Sequence, residues 1–186
     1  FFTPHRFRDL AARNMALPIG CGQTTPAPAT LARRLEALGV EPRHRVLEIG
    51  TGSGYGAAVL ARLAREVVSI ERYETLAIEA TKRLASLDIG NVRVLFADGL
   101  APEPALGPFD RVILHMSFQR APQAVLELLA PGGVAVFGRI EPPAVDRQRS
   151  VERLWRVRRD SDAVWSETDL GPCRLGAVLE RRALAL

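Results

Sequence analysis

The sequence predicts an α/β fold, a three-layer αβα sandwich around a mostly parallel central sheet. Three observations predict it. Short β-branched runs alternate with stretches of helical composition between residues 45 and 137. A glycine-rich turn joins the first of these runs directly to the first following helix. The length of 186 residues, with 47% hydrophobic and 25% charged residues, suits one domain able to bury a single core.

The elements follow in order. A leading helix is expected around Leu31–Leu38, because Leu31, Leu35 and Leu38 share one face, and Thr25-Pro26 resembles a helix start. Strands are expected at 45–49, 67–70, 92–96, 111–114 and 134–137. Helices fall between them at 55–65, 73–87 and 123–130, with turns at Ile89-Gly90-Asn91 and Pro131-Gly132-Gly133. The order βαβαβ, then βαβ, requires parallel pairing with crossover helices, since parallel neighbours cannot be joined by a tight hairpin. Ligands then bind beyond the carboxyl ends of the strands.

After Gly138 the pattern weakens. Glu141-Pro142-Pro143 marks a loop, the alternation in Arg153–Arg159 predicts a half-exposed strand, and Leu175–Leu179 predicts another. The whole chain, 1–186, is expected to form one domain: an N-terminal loop and helix (1–40), a ligand-binding core (41–140) and C-terminal strands completing the sheet (141–186).

The net charge is +4 and the pI about 9.8, almost wholly from arginine, since Lys82 is the one lysine. Charge this diffuse does not point to a nucleic acid partner, and the arginines of 153–159 read as a solvated strand face. No apolar run reaches the roughly 18–20 residues of a membrane span, and the start lacks the layout of a signal peptide, so a cytoplasmic location is expected. The sequence opens on Phe1 rather than Met, so native residues before it are expected. Cys21 and Cys173 lack both disulfide-framework and metal-ligand spacing and read as free thiols, with no metal expected.

The chemistry sits in the loop Glu48-Ile49-Gly50-Thr51-Gly52-Ser53-Gly54-Tyr55-Gly56. Glycine removes the Cβ and admits positive φ where a nucleotide-like ligand approaches the backbone. A dinucleotide fingerprint starting at Gly50 needs glycine at 55, where Tyr55 stands. Glu48 before the first glycine makes instead the acidic-x-G-x-G-x-G pattern of Rossmann-like methyltransferases. A pyrophosphate seeks helix N–H groups, whereas S-adenosylmethionine brings a sulfonium and an ammonium that favour nearby carboxylates.

Further acids stand at successive strand ends. Glu71 follows Gly50 by 71 − 50 = 21 residues, close to the spacing of about 20 for a carboxylate that grips a ribose. Asp98, followed by Gly99, is the candidate for the adenine edge. The expected cofactor residues are Glu48, Gly50, Thr51, Gly52, Ser53, Tyr55, Glu71, Arg72, Asp98 and Gly99.

These residues also resemble one family, the protein-L-isoaspartate O-methyltransferases. Leu17-Pro18-Ile19-Gly20 with Gly22-Gln23-Thr24 is similar to its pre-core signature, and Val46–Tyr55 to its Val-Leu-Glu-Ile-Gly-Thr-Gly-Ser-Gly-Tyr loop. Ile70-Glu71-Arg72, Asn91-Val92, Asp98-Gly99, Pro108-Phe109-Asp110 and Leu129-Ala130-Pro131-Gly132-Gly133 follow in the same order. The loop alone would say only methyltransferase, so Gly22-Gln23-Thr24 carries the assignment.

The resemblance implies methyl transfer from S-adenosylmethionine to the free carboxylate of L-isoaspartyl residues in damaged proteins or peptides, leaving S-adenosylhomocysteine. It places Gln23, Thr24 and Thr25 on the acceptor side. Two departures stand out. Where the family reads Gln-Thr-Ile-Ser-Gln-Pro, this chain has Gln23-Thr24-Thr25-Pro26-Ala27-Pro28, so the serine hydroxyl is absent. Where the family has small residues with a threonine, the chain has His115-Met116-Ser117-Phe118.

A carboxylate with a pKa near 4 is already ionised at neutral pH and needs no base. The enzyme's work would be alignment in a site stripped of water. His115 with Ser117 is the alternative, a base for a hydroxyl or amine acceptor on a small molecule or RNA, and a non-catalytic cofactor-binding protein is a third reading. His5 and His44 are expected on the surface.

Overall fold

The computed structural model describes residues 1–142, 150–178 and 183. After a 3₁₀ turn at His5–Leu10 come the short strands β1 (Leu17–Pro18) and β2 (Thr24–Thr25), then helix α1 (Pro28–Leu38). The core runs β3 (Arg45–Ile49), α2 (Tyr55–Leu63), β4 (Glu66–Glu71), α3 (Glu74–Ala85), β5 (Val92–Phe96), β6 (Phe109–Phe118), α4 (Gln123–Leu126) and β7 (Leu129–Glu141). The strands β8 (Val151–Arg159) and β9 (Trp165–Pro172) follow.

Seven strands form one sheet in the order β5-β4-β3-β6-β7-β8-β9. The pairs β5-β4, β4-β3, β3-β6 and β6-β7 are parallel, as the alternation predicts. β8 pairs antiparallel with β7, and β9 with β8. The order reverses between β3 and β6, which opens a crevice at the carboxyl ends of both strands.

Both faces of the parallel strands are buried, which is why they read as apolar runs. Val46 of β3 packs with Leu31, Leu35, Leu38 and Leu60 beneath α1 and α2. Leu47 and Ile49 point the other way, into a cluster with Phe109, Val125, Leu126 and Leu129.

The structure corrects several boundaries. α1 begins at Pro28 with Ala27 as its cap, because Thr25 pairs with Leu17 and proline is favoured at the first helical position. The helix expected to reach Ala130 stops at Leu126: Phe109 N–H donates to Leu128 O at 2.8 Å, and Leu129 pairs with Phe109 as strand. Burying Phe109 and Leu129 on the sheet outweighs another helical turn.

Of the strand expected at Leu175–Leu179, Ala177 forms a single bridge to Ser117, and Leu179 lies outside the described residues. β9 takes the edge instead; it is polar and largely exposed, so it lacks the apolar alternation that marks a strand. His44 is buried rather than on the surface, with Nδ1 accepting from the Glu41 N–H at 2.9 Å.

Candidate active site

The turn after β3 is held by its own backbone and by the next strand. Gly50 N–H donates to Ile70 O at 2.8 Å, and Gly50, Gly52 and Gly54 all take positive φ (95°, 55° and 86°). Gly54 caps α2 in the left-handed region, a conformation costly for a residue with a Cβ. Glu71, at the tip of β4, ties the turn down: Oε2 accepts from Gly52 N–H at 2.8 Å and Oε1 from Tyr73 N–H at 3.0 Å.

Two adjoining cavities flank this turn. One, of about 140 Å³, is lined by apolar Ile49, Ile70 and Leu100 together with the acids Glu71 and Asp98. The other, of about 270 Å³, lies between the glycine turn, the Thr24–Ala27 segment, α1 and His115. Gly99 packs so closely on Ile49 that a Cβ there would come within 2.5 Å of Ile49 Cγ2, which holds the Asp98 segment against β3.

Beneath the larger cavity runs a buried chain of polar groups. Ser69 Oγ donates to Glu48 Oε2 at 2.6 Å, so Thr51 Oγ1 is the donor in its 2.5 Å contact with Ser69 Oγ. His115 Nε2 lies 2.9 Å from Glu48 Oε1, and Arg34 Nη1 lies 2.8 Å from His115 Nδ1. A guanidinium only donates, so Nδ1 accepts and Nε2 carries the proton to Glu48. Arg34 Nη2 also donates to Leu114 O at 2.6 Å.

Burial lowers the Arg34 pKa to about 10, opposed by Glu48, and the guanidinium stays charged at neutral pH. Burial and then the Arg34 charge hold His115 below its ordinary value, against the pull of Glu48. The result is a cation, a neutral imidazole and an anion in a row. The anion is fully buried and the cation is 1% exposed.

Both nitrogens of His115 are therefore committed, and neither is available to take a proton from an acceptor. Ser117 does not join it. The β6–β7 register shifts between Ile113 and Ser117, and Ser117 Oγ donates to Glu152 Oε2 at 2.7 Å. The pairing of His115 with Ser117 as a base is not brought together.

The structure distributes the other expected site residues between the cavities. Gly50 and Gly52 line both, Thr51, Ser53 and Tyr55 line the larger, and Glu71, Arg72, Asp98 and Gly99 line the smaller. Glu48 lies under the larger cavity with both oxygens engaged. Asp98 Oδ1 accepts from Leu100 N–H at 2.9 Å, and Arg72 Nη1 donates to the Tyr73 hydroxyl at 2.9 Å.

Thr24 borders both cavities, and Thr25 the larger, where its buried Oγ1 has no hydrogen-bond partner. Gln23 faces the smaller cavity, with Nε2 near Cys21 O (3.2 Å) and the Tyr73 hydroxyl (3.4 Å). Arg34 was missed from sequence. Its signal was spacing, since position 34 follows Leu31 by three residues and falls on the apolar face of α1.

This donor set fits a sulfonium nucleoside: isoleucines for a base, and carboxylates with spare lone pairs for hydroxyl and amino groups. Within the turn, the Gly50 and Gly52 N–H groups are already spent inside the protein and are not available to a pyrophosphate. Fold and site together define an S-adenosylmethionine-dependent methyltransferase. The family model "Protein-L-isoaspartate(D-aspartate) O-methyltransferase" matches residues 1–181. The chain belongs to that family.

A Maricaulis maris protein-L-isoaspartate O-methyltransferase is 44% identical over 185 residues, covering 100% of this chain and 83% of that one. A solved structure of a protein-L-isoaspartate O-methyltransferase superposes with a TM-score of 0.73 at 24% identity, covering 84% of this chain and 48% of that longer one. A Plasmodium falciparum structure described as this type of enzyme, in complex with S-adenosyl-L-homocysteine, gives 0.71 at 20% identity, over 88% of this chain and 79% of that one. These last two show the shared fold.

Glu71 yields a pH prediction. Burial pushes its carboxyl above the ordinary range, against backbone N–H donors from Gly52, Tyr73 and Arg72. Binding of S-adenosylhomocysteine is expected to weaken as pH falls from 7 toward 5, because protonation removes an acceptor. Glu71's own contribution to stability moves the other way. With its folded pKa above the unfolded one, the native state takes up the proton more readily, so acid costs ligand before fold.

Calorimetric titration at several pH values, beside thermal melts, checks both signs. Glu71→Gln should lose about 10- to 100-fold in affinity at pH 7, as expected for a charged hydrogen bond, and lose the pH dependence. Equal affinity in variant and parent would remove Glu71 from the binding site.

Proposed function

We propose that this chain transfers the methyl group of S-adenosylmethionine to the free carboxylate of L-isoaspartyl residues in damaged proteins or peptides. One observation carries the choice of acceptor. Among the described residues lining the larger cavity, no side chain is free to act as a base. The histidine has both nitrogens bonded, the carboxylate of Glu48 has both oxygens bonded, and the remaining ionisable groups of acid or base strength are Arg34 and Arg174, apart from the phenol of Tyr55. Such a site suits an acceptor that arrives already ionised.

When bound, the cofactor supplies a methyl group on a cationic sulfur. The chain's own residues do the rest by position. Thr24, Thr25 and Pro26 border the acceptor side, and the orphaned Thr25 hydroxyl offers a donor in the segment where Pro26 has displaced the family's serine. Arg34 lines the same cavity, its charge balanced by Glu48 across His115. Glu71, Asp98 and the glycine turn are assigned to the cofactor, with Glu71 bracing the turn through Gly52.

A second reading, a base-dependent acceptor, is disfavoured by the same committed imidazole. Two free thiols, Cys21 and Cys173, suit a reducing cytoplasm, and among the described residues no helix is long and apolar enough to cross a membrane.

Incubation with labelled S-adenosylmethionine and an isoaspartyl peptide is expected to give a base-labile methyl ester, with none from the matching aspartyl peptide. Tight cofactor binding with no transfer to the isoaspartyl peptide would overturn the proposal.

A further inference from the structure

The acceptor cavity does not end at α1. A third cavity, of about 490 Å³, opens beside it and shares Thr30, Arg34 and Arg174 with it, so the two form one continuous depression. Among the described residues its lining includes Arg33, Arg34, Cys173 and Arg174 and no carboxylate. Burial, and then Glu152, pushes the Cys173 thiol up to about 11, so it adds no negative charge at neutral pH.

The three cations are held differently, and the differences matter. Arg33 donates through Nη1 to Pro172 O at 3.1 Å and through Nη2 to Leu170 O, both on β9. Carbonyls fix its place without cancelling its charge. Arg34 is 1% exposed, and its Nε has no hydrogen-bond partner. Arg174 is exposed and makes no hydrogen bond or ion pair among the described residues. Glu152 stands nearby but outside the lining of this cavity, its Oε2 held by Ser117 Oγ and by the Leu175 and Gly176 N–H groups.

Some surface arginines elsewhere are held in ion pairs: Arg45 with Glu66, Arg83 with Glu79, Arg139 with Glu167 and Arg153 with Asp169. What sets Arg33 and Arg174 apart is their place: they line a depression continuous with the acceptor cavity, where the rest of a peptide substrate must leave, while the charge of Arg34 is balanced by Glu48.

We propose that this arginine-lined depression is a substrate subsite that receives acidic side chains flanking the methylated residue, so that the enzyme selects damaged sites in acidic stretches of protein. The inference rests on the isoaspartyl reading above and adds to it the charge of the substrate. A flanking glutamate or aspartate meets Arg174 at the rim and the field of Arg33 beside it; a flanking lysine meets two like charges.

The test uses three isoaspartyl peptides differing only in the residues on either side of the damaged site: glutamate, alanine or lysine. At low ionic strength, kcat/KM is expected to fall at least 5-fold from the glutamate to the alanine peptide and again to the lysine peptide, chiefly through KM. The spread should shrink as salt shortens the screening length from about 10 Å at 0.1 M toward 3 Å at 1 M. Arg174→Glu should abolish or invert the order, and Arg174→Lys should keep it. Arg174 is exposed and has no ion pair among the described residues, so neither change threatens folding.

Equal methylation of all three peptides, or an order that survives Arg174→Glu, overturns the subsite and leaves the isoaspartyl activity standing. Methylation of none of them overturns the activity itself, and the subsite falls with it.

Discussion

Glu48→Ala is expected to cost about 3–5 kcal/mol of stability, the range for breaking a buried charge pair by removing one partner. Glu48 is fully buried and accepts from Ser69 and His115, and its charge is what opposes the desolvation of Arg34. Alanine leaves a cavity, two donors without acceptors and a buried guanidinium with no counter-charge. For a chain of this size the loss corresponds to a fall in melting temperature of roughly 10 °C.

Glu48→Gln separates charge from shape. It keeps the volume and the Ser69 bond, but it cannot balance Arg34. The double variant Glu48→Gln with Arg34→Met removes both charges and should recover much of the loss, as buried pairs replaced by apolar residues often do. Urea unfolding of the set measures the coupling. A melting temperature within about 2 °C of the parent for Glu48→Ala would mean that the polar chain contributes nothing to folding.

Gly56→Ala should destabilise the protein and weaken cofactor binding more than 10-fold, although helix propensity argues the opposite. Gly56 lies in the first turn of α2, where alanine would ordinarily gain up to about 1 kcal/mol. Here a Cβ would sit 2.3 Å from Glu48 Oε1 and 3.3 Å from His115 Nε2. Glu48 has nowhere to go, since its other oxygen is fixed by Ser69.

Overpacking of this kind costs about 1–3 kcal/mol. It also pushes the glycine turn away from β3, the turn on which the cofactor would rest. Thermal melts and S-adenosylhomocysteine titration check both effects. A raised melting temperature with affinity kept would show that propensity wins and that the contact relaxes without cost.

Much of the fold was legible because its signals are local. The runs at 45–49 and 67–70 are apolar because both sheet faces are covered, and Gly50, Gly52 and Gly54 reveal a turn that needs positive φ whatever surrounds it. The misread segments are those where distant partners decide. Residues 127–130 have helical composition, but Leu128 and Leu129 bond and pair with Phe109, and β9 is a strand only because β8 offers it an edge.

The candidate site divides the same way. Glu71 and Asp98 follow from counting along the chain to the ends of successive strands. The roles of His115 and Glu48 do not. Read alone, His115 invites the role of base, and Glu48 that of a carboxylate facing the cofactor's cation. In the fold they bond to each other and to Arg34.

The sequence by itself determined the parallel core, the methyltransferase turn with its strand-end acids and the family, because period, glycine spacing and acid spacing are properties of neighbouring residues. The tertiary structure decided which charges are spent and which are free. Arg34 meets His115 across 81 residues of chain, while Arg33 and Arg174 converge on a cavity that no carboxylate lines among the described residues. A charge's worth depends on what surrounds it in space, and only the folded chain brings those surroundings together.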